Sequence, residues 1–362
     1  YSEGLINNWT FRNYDLNNIL YRAEFSDSNK SKYSISAFGN MGDSLEIIAE
    51  KISNNKIYVS KFKGVLKQSL VHSSPFYMDI DNKMLHFPLL NINIGTGNIF
   101  IRGNIRDYTH YDLNGGISNI NLDALYSIIG VSYPLKGKIK KGRLKLNNVK
   151  NESIISPFID ISLDINNGSW DDFIFDKLSI TTKYQNHALN PINLNVETSL
   201  GFIKANGWCN IDLFSETLLF KSKDNLNILV EFDKIDLASV NRYLPWSFES
   251  RGYASGLMKI NGTTESPKIF GNLGISNPGF DKINGDTLYN RYSYSDHQLN
   301  IDQGYFLLNG GEYYGNGNIP VNFDLISQEK LQITKLPIDF VFTGTANNFD
   351  LLNLFKDKFQ VT

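Results

Sequence analysis

Ile159-Asp160-Ile161-Ser162-Leu163-Asp164-Ile165 alternates apolar and polar residues without a break. Successive side chains of a β-strand point to opposite faces, so this heptapeptide describes a strand with one greasy face and one wet face. The same beat recurs in Leu90-Asn91-Ile92-Asn93-Ile94, in Ile192-Asn193-Leu194-Asn195-Val196, and in Leu226-Asn227-Ile228 running on to Val230-Glu231-Phe232. It returns in Val321-Asn322-Phe323-Asp324-Leu325. Clusters of Asn and Gly separate such runs: Asn114-Gly115-Gly116, Asn166-Asn167-Gly168, Asn284-Gly285-Asp286 and Asn309-Gly310-Gly311 read as hairpin turns. The expected fold class is all-β: a long, twisted and curled antiparallel sheet with a few short helices.

Composition agrees. The 362 residues include 44 Asn and only 9 Ala, a bias toward turns and away from helices. A net charge of −2 argues against nucleic acid as a partner, since phosphate binding calls for a basic excess. The lone Cys209 excludes a disulfide framework. No stretch reaches the roughly 18 to 20 apolar residues of a membrane-spanning helix. The chain begins at Tyr1 without Met and is read as a segment of a longer protein, any membrane anchor lying outside it.

Helical pattern is confined to two places. Leu122 to Ile129 follows Asn121, and Leu237 to Leu244 follows Asp236; both preceding residues suit an N-cap. They belong to a series, apolar-x-x-apolar-(Asp/Asn)-Leu, also read at Phe11…Tyr14-Asp15-Leu16 and at Ala346…Phe349-Asp350-Leu351, with Leu spacings of 106, 115 and 114. A second marker, Gly97…Gly103, recurs as Gly201…Gly207 and Gly304…Gly310. Two markers on one period indicate an internal repeat. We divide the chain into a degenerate unit 1–110, units 111–220 and 221–335, and the start of another at 336–362. One long body is expected rather than a string of sandwiches.

The stretch Ile235-Asp236-Leu237-Ala238…Tyr243-Leu244-Pro245, then Gly252…Gly256…Ile260-Asn261-Gly262-Thr263…Pro267…Gly271-Asn272-Leu273…Asn277, resembles the repeat of the TamB and wider AsmA-like envelope proteins. Residues 220–325 follow that pattern best, residues 105–215 more loosely. The resemblance implies a sheet folded like a taco shell with an apolar lumen, in a periplasmic protein tethered to the inner membrane. It further implies carriage of phospholipid acyl chains toward the outer membrane, support of outer-membrane biogenesis, and an assembly partner of the Omp85 class.

The candidate lining consists of the in-phase apolar residues. In the first half these are Leu90, Ile92 and Ile94, then Ile159, Ile161, Leu163 and Ile165, then Ile192, Leu194 and Val196. Later come Leu226, Ile228, Val230 and Phe232, then Leu299 and Ile301, Val321 and Phe323, and finally Ile338, Phe340 and Phe342. The other reading of these residues is a dry core in an extracellular or periplasmic adhesin or scaffold. Periodicity leaves open which face is concave.

Enzymatic and metal chemistry find little footing. None of the five histidines stands at ligand spacing from another, so neither metal nor cofactor is expected. Asp79 and Asp81 alternate along a strand and mark its wet face. Cys209, beside Trp208, reads as buried rather than nucleophilic. The tyrosines at 289, 292, 294, 305, 313 and 314 read as cross-strand aromatic pairs.

Overall fold

A computed structural model describes residues 1–11, 14–27, 30–39, 42–81, 84–106, 110–129, 131–151, 154–211, 224–241, 249–280, 283–308, 310–322, 332–333 and 338–345. Among these the fold is all-β and antiparallel, with 24 strands and two short helices. The chain forms two compact units, Tyr1–Pro191 and Ile192–Thr362.

The first unit opens with β1 (Ser2–Phe11), β2 (Tyr14–Asp27), β3 (Lys30–Gly39), β4 (Ser44–Ser53) and β5 (Lys56–Leu66), each paired with the next. Two short strands then share one lane of the sheet. β6 (Ser69–Ser73) and β7 (Phe76–Asp81) both pair with β5 on one side and with β8 (Met84–Ile94) on the other. Pro75, which has no N–H to give to a ladder, falls in the break between them. β9 (Gly97–Arg106), β10 (His110–Asn121), β11 (Leu135–Asn151), β12 (Ile154–Trp170) and β13 (Phe173–Gln185) continue the meander. The division between the units falls within β14 (Ala188–Glu197).

In the second unit β15 (Phe202–Asn210), β16 (Asn225–Asp236), β17 (Ser250–Thr263) and β18 (Pro267–Phe280) pair in order. β18 also pairs with the two-residue β19 (Ile283–Asn284) and with β20 (Thr287–Ser295). β21 (Gln298–Leu308), β22 (Gly311–Asn322) and β24 (Asp339–Gly344) extend the ladder, and β23 (Gln332–Ile333) meets β22.

Each helix interrupts a strand-to-strand connection, as the Asn121 and Asp236 motifs predict. α1 (Leu122–Ile129) starts with the Asn121 Oδ1 accepting from the Asp123 N–H at 2.9 Å. α2 (Leu237–Val240) starts with the Asp236 Oδ1 accepting from the Ala238 N–H at 3.0 Å. The first leucine of each helix, Leu122 and Leu237, is buried against the sheet. Asn241 ties the end of α2 to β17: its Oδ1 accepts from the Ser250 N–H and its Nδ2 donates to the Ser250 carbonyl. The first copy of the motif behaves differently. Asp15-Leu16 lies inside β2, whose pairing on both sides holds it extended. The fourth copy, at Phe349-Asp350-Leu351, lies outside the described residues, as do residues 242–248.

Two of the four expected turns are not turns. Asn114-Gly115-Gly116 lies mid-strand in β10, where the bare Gly116 is covered by the Phe100 ring from β9. Asn166-Asn167-Gly168 lies within β12, where Asn167 (φ +48°) makes a kink and Gly168 seats the Phe175 ring. Gly thus serves close packing here rather than chain reversal. Gly285 and Gly310 do sit between strands, as expected.

Two of the three copies of the glycine marker sit alike in the structure, and the third, Gly304…Gly310, does not. A Cβ on Gly103 of β9 would collide with the Asp112 carbonyl oxygen of the next strand, and one on Gly207 of β15 with that of Asn227. The residue in the same setting in β22 is Gly317, which faces the Asp339 carbonyl, and not Gly310. The third copy therefore runs from Gly311 to Gly317, with the six-residue interval of Gly97–Gly103 and Gly201–Gly207 intact.

Candidate functional site

Directly paired residues of an antiparallel ladder share a face, so the registers trace rows across each unit. In the first unit one row reads Leu90, Ile101, Gly115, Leu144, Ile161, Thr182 across six strands. The neighbouring row reads Ile92, Ile99, Ile117, Gly142, Leu163, Ile180. In the second unit a row of eight reads Ala205, Val230, Met258, Gly271, Tyr292, Ile301, Gly317, Phe340. No charged residue breaks any of the three. At about 4.8 Å per strand they run about 24 Å in the first unit and about 34 Å in the second.

Parts of these rows pack into clusters, and the rest are half-covered. One packed cluster joins Val71, Ile94 and Ile120 and is capped by Leu125 and Ile128 of α1. Another joins Leu237, Ala254 and Ile275, with Phe232 and Leu273 against it. A third joins Ile269, Tyr294 and Val321, with Met258, Tyr292 and Leu299 against it. Among the described residues, the members of these clusters come from nearby strands of one sheet or from the adjoining helix. Between the clusters the apolar side chains keep partial contact with solvent: Ile161, Leu163, Ile228 and Val230 are half-buried, and Leu144 is 42% exposed beside the bare Gly115.

The predicted lining residues sort accordingly. Ile94, Ile165, Val196, Leu226 and Val321 are fully buried and have no surface to offer a ligand. Leu90, Ile92, Ile159, Ile161, Leu163, Ile192 and Leu194 are half-buried, as are Ile228, Val230, Phe232, Leu299, Ile301 and Phe340. Ile338 and Phe342 are exposed, and Phe342 stacks on Phe340 with ring centroids 4.6 Å apart. Phe323 lies outside the described residues. Sequence reading missed Leu144, Ala205, Met258 and Tyr292, whose places in the rows come from strand register. The tyrosines divide between the faces: Tyr294 and Tyr313 are buried, whereas Tyr305 and Tyr314 stack on the opposite side at 5.3 Å.

Asp79 pairs with Lys56 at 4.0 Å, and the His86 ring meets the Asn104 side chain at 2.5 Å. Cys209 is buried, and burial, with a smaller contribution from Asp224, raises its thiol pKa. Burial likewise raises the Tyr292 hydroxyl pKa, so both groups are neutral at pH 7. Among the described residues no group of three or more His, Cys, Asp or Glu is placed to hold a metal ion, and no helix is long and apolar enough to cross a membrane.

No family model, curated protein or solved structure matches the chain.

Proposed function

We propose that the half-covered apolar face of each unit is a trough for lipid acyl chains, in a non-enzymatic segment of a TamB-like periplasmic protein. Such a protein, tethered to the inner membrane, carries phospholipid between the membranes, and an outer-membrane assembly partner of the Omp85 class fits the same reading. One observation supports it: uncharged rows running unbroken from strand to strand, whose side chains outside the packed clusters are only half-covered. Leaving a sixteen-carbon chain in water costs on the order of 12 kcal/mol. A row of aliphatic side chains lowers that cost at every strand crossed while holding no single position tightly. The competing reading, a β-repeat adhesin or scaffold with a dry core, draws on the three packed clusters.

The test is mass spectrometry of the purified chain for co-purifying phospholipid, with photo-crosslinking of a lipid bearing a reactive group in its acyl tail. Crosslinks are expected on Ile161, Val230 and their row neighbours. Ile161→Asp and Ile228→Glu should each abolish crosslinking in their own unit with the sheet still folded. Absence of lipid, or crosslinking unchanged in both variants, would overturn the trough in favour of the dry core.

A further inference from the structure

The second unit holds a depression of about 470 Å³ whose lining residues alternate along the strands with those of the trough row, and which Gly271 and Tyr292 of that row also border. Its walls are Leu229, Leu257, Phe270 and Tyr289, each about 40 to 47% exposed on a face where strand alternation places polar residues. Register brings them together: Leu229, Lys259 and Phe270 form one row, and Leu257, Asn272 and Arg291 form the next. Two cations, Lys259 and Arg291, line the same depression two strands and one row apart, a backbone separation of about 12 Å. Among the described residues neither makes an ion pair within 4 Å. Asn272 is held in place by its Oδ1 accepting from the Leu257 N–H at 3.2 Å. Asp302 also lines the depression and sits at a register break in β21, opposite the step between Arg291 and Tyr292.

We infer that this depression binds an anionic amphiphile: a singly charged phosphodiester or carboxylate head between Lys259 and Arg291, with its apolar body on Leu257, Phe270 and Leu229. Cations without an ion-pair partner beside exposed aliphatic and aromatic surface are complementary to that combination, the apolar half gaining most by leaving water. Asp302 sets the lining charge at +1, which matches one negative charge better than two. An uncharged amphiphile would leave both cations unmatched, and a free anion would leave the apolar walls wet.

The experiment is calorimetric titration of the whole chain with twelve-carbon lysophosphatidylglycerol and with dodecanoate, each below its micelle concentration. Dodecyl maltoside and the glycerophosphoglycerol head alone serve as comparisons. One or both anionic amphiphiles should bind at least tenfold more tightly than either comparison ligand, and the better of the two identifies the head. Lys259→Gln with Arg291→Gln should weaken that binding at least tenfold. Leu257→Asn, which keeps both charges, should also weaken it, and all three substitutions lie on an exposed face where folding does not depend on them. Ile228→Glu, which blocks the trough, should leave this affinity unchanged, so failure of the trough leaves the depression standing. The inference is overturned if the double charge variant binds as well as the wild type, if dodecyl maltoside competes equally, or if Ile228→Glu alone removes the binding.

Discussion

Ile165 and Leu144 point to the same face of the same sheet, two rows apart, yet one is 0% and the other 42% exposed. Truncating each to Ala removes three carbons, worth about 2.4 kcal/mol if wholly buried, at about 0.8 kcal/mol per methylene. At Ile165 a cavity is left as well, because Ile139, Leu178 and the Gly137 backbone cannot close over it. The cost should reach about 3 to 4 kcal/mol. At Leu144 little more than half of the transfer value applies, and solvent fills the space, so the cost should be about 1 kcal/mol. Urea unfolding followed by circular dichroism measures both through the shift in midpoint at constant slope. A dry sandwich core would make the two costs alike. If Leu144→Ala costs as much as Ile165→Ala, the half-covered stretch of the face does not exist and the trough falls with it.

Gly103→Ala, at φ +136° and against the Asp112 carbonyl, should cost about 2 to 3 kcal/mol in urea unfolding, whereas Gly274→Ala, with its nearest neighbour 3.7 Å away, should cost almost nothing; equal costs would refute the packing role of the repeated glycine. Asp236→Ala removes the cap of α2 and should cost about 1 kcal/mol, with Asp236→Asn restoring most of it; an unchanged midpoint for Asp236→Ala would show that Asn241 alone holds the helix end. The Cys209 thiol has its folded pKa raised above the ordinary 9.0, so its contribution to stability is complete below pH 9 and lost as pH rises through the folded value. Between pH 9 and 11 Cys209→Ala should therefore lose less stability than the wild type. A thiol reagent should label native Cys209 slowly at pH 8 and rapidly in urea, and fast native labelling would contradict its burial.

Much of the architecture is legible without coordinates. The run Ile159–Ile165 lies in β12, the run Leu226–Phe232 lies in β16, and α1 begins at Leu122 behind its Asn cap, because pleat period and capping chemistry are local. Local signals misled where a residue's role comes from a neighbouring strand. Gly116 and Gly168 carry turn composition but serve as seats for Phe100 and Phe175, rings at least seven residues away in sequence. Asp15-Leu16 has the helix motif, but two flanking strands hold it extended.

The amino-acid order alone determined that the chain is β, that each strand has an apolar and a polar side, and where two helices begin, since these depend on residues within a turn or two of each other. Depth was decided in three dimensions. Ile161 and Ile165 read identically along the strand, but Ile165 pairs with Ile139 between two register shifts and packs against Gly137, whereas Ile161 faces Leu144, itself beside the bare Gly115. The meeting of Lys259, Asn272 and Arg291 likewise needs the pairing of β17, β18 and β20, because hydrogen-bond register joins positions that sequence keeps up to 32 residues apart.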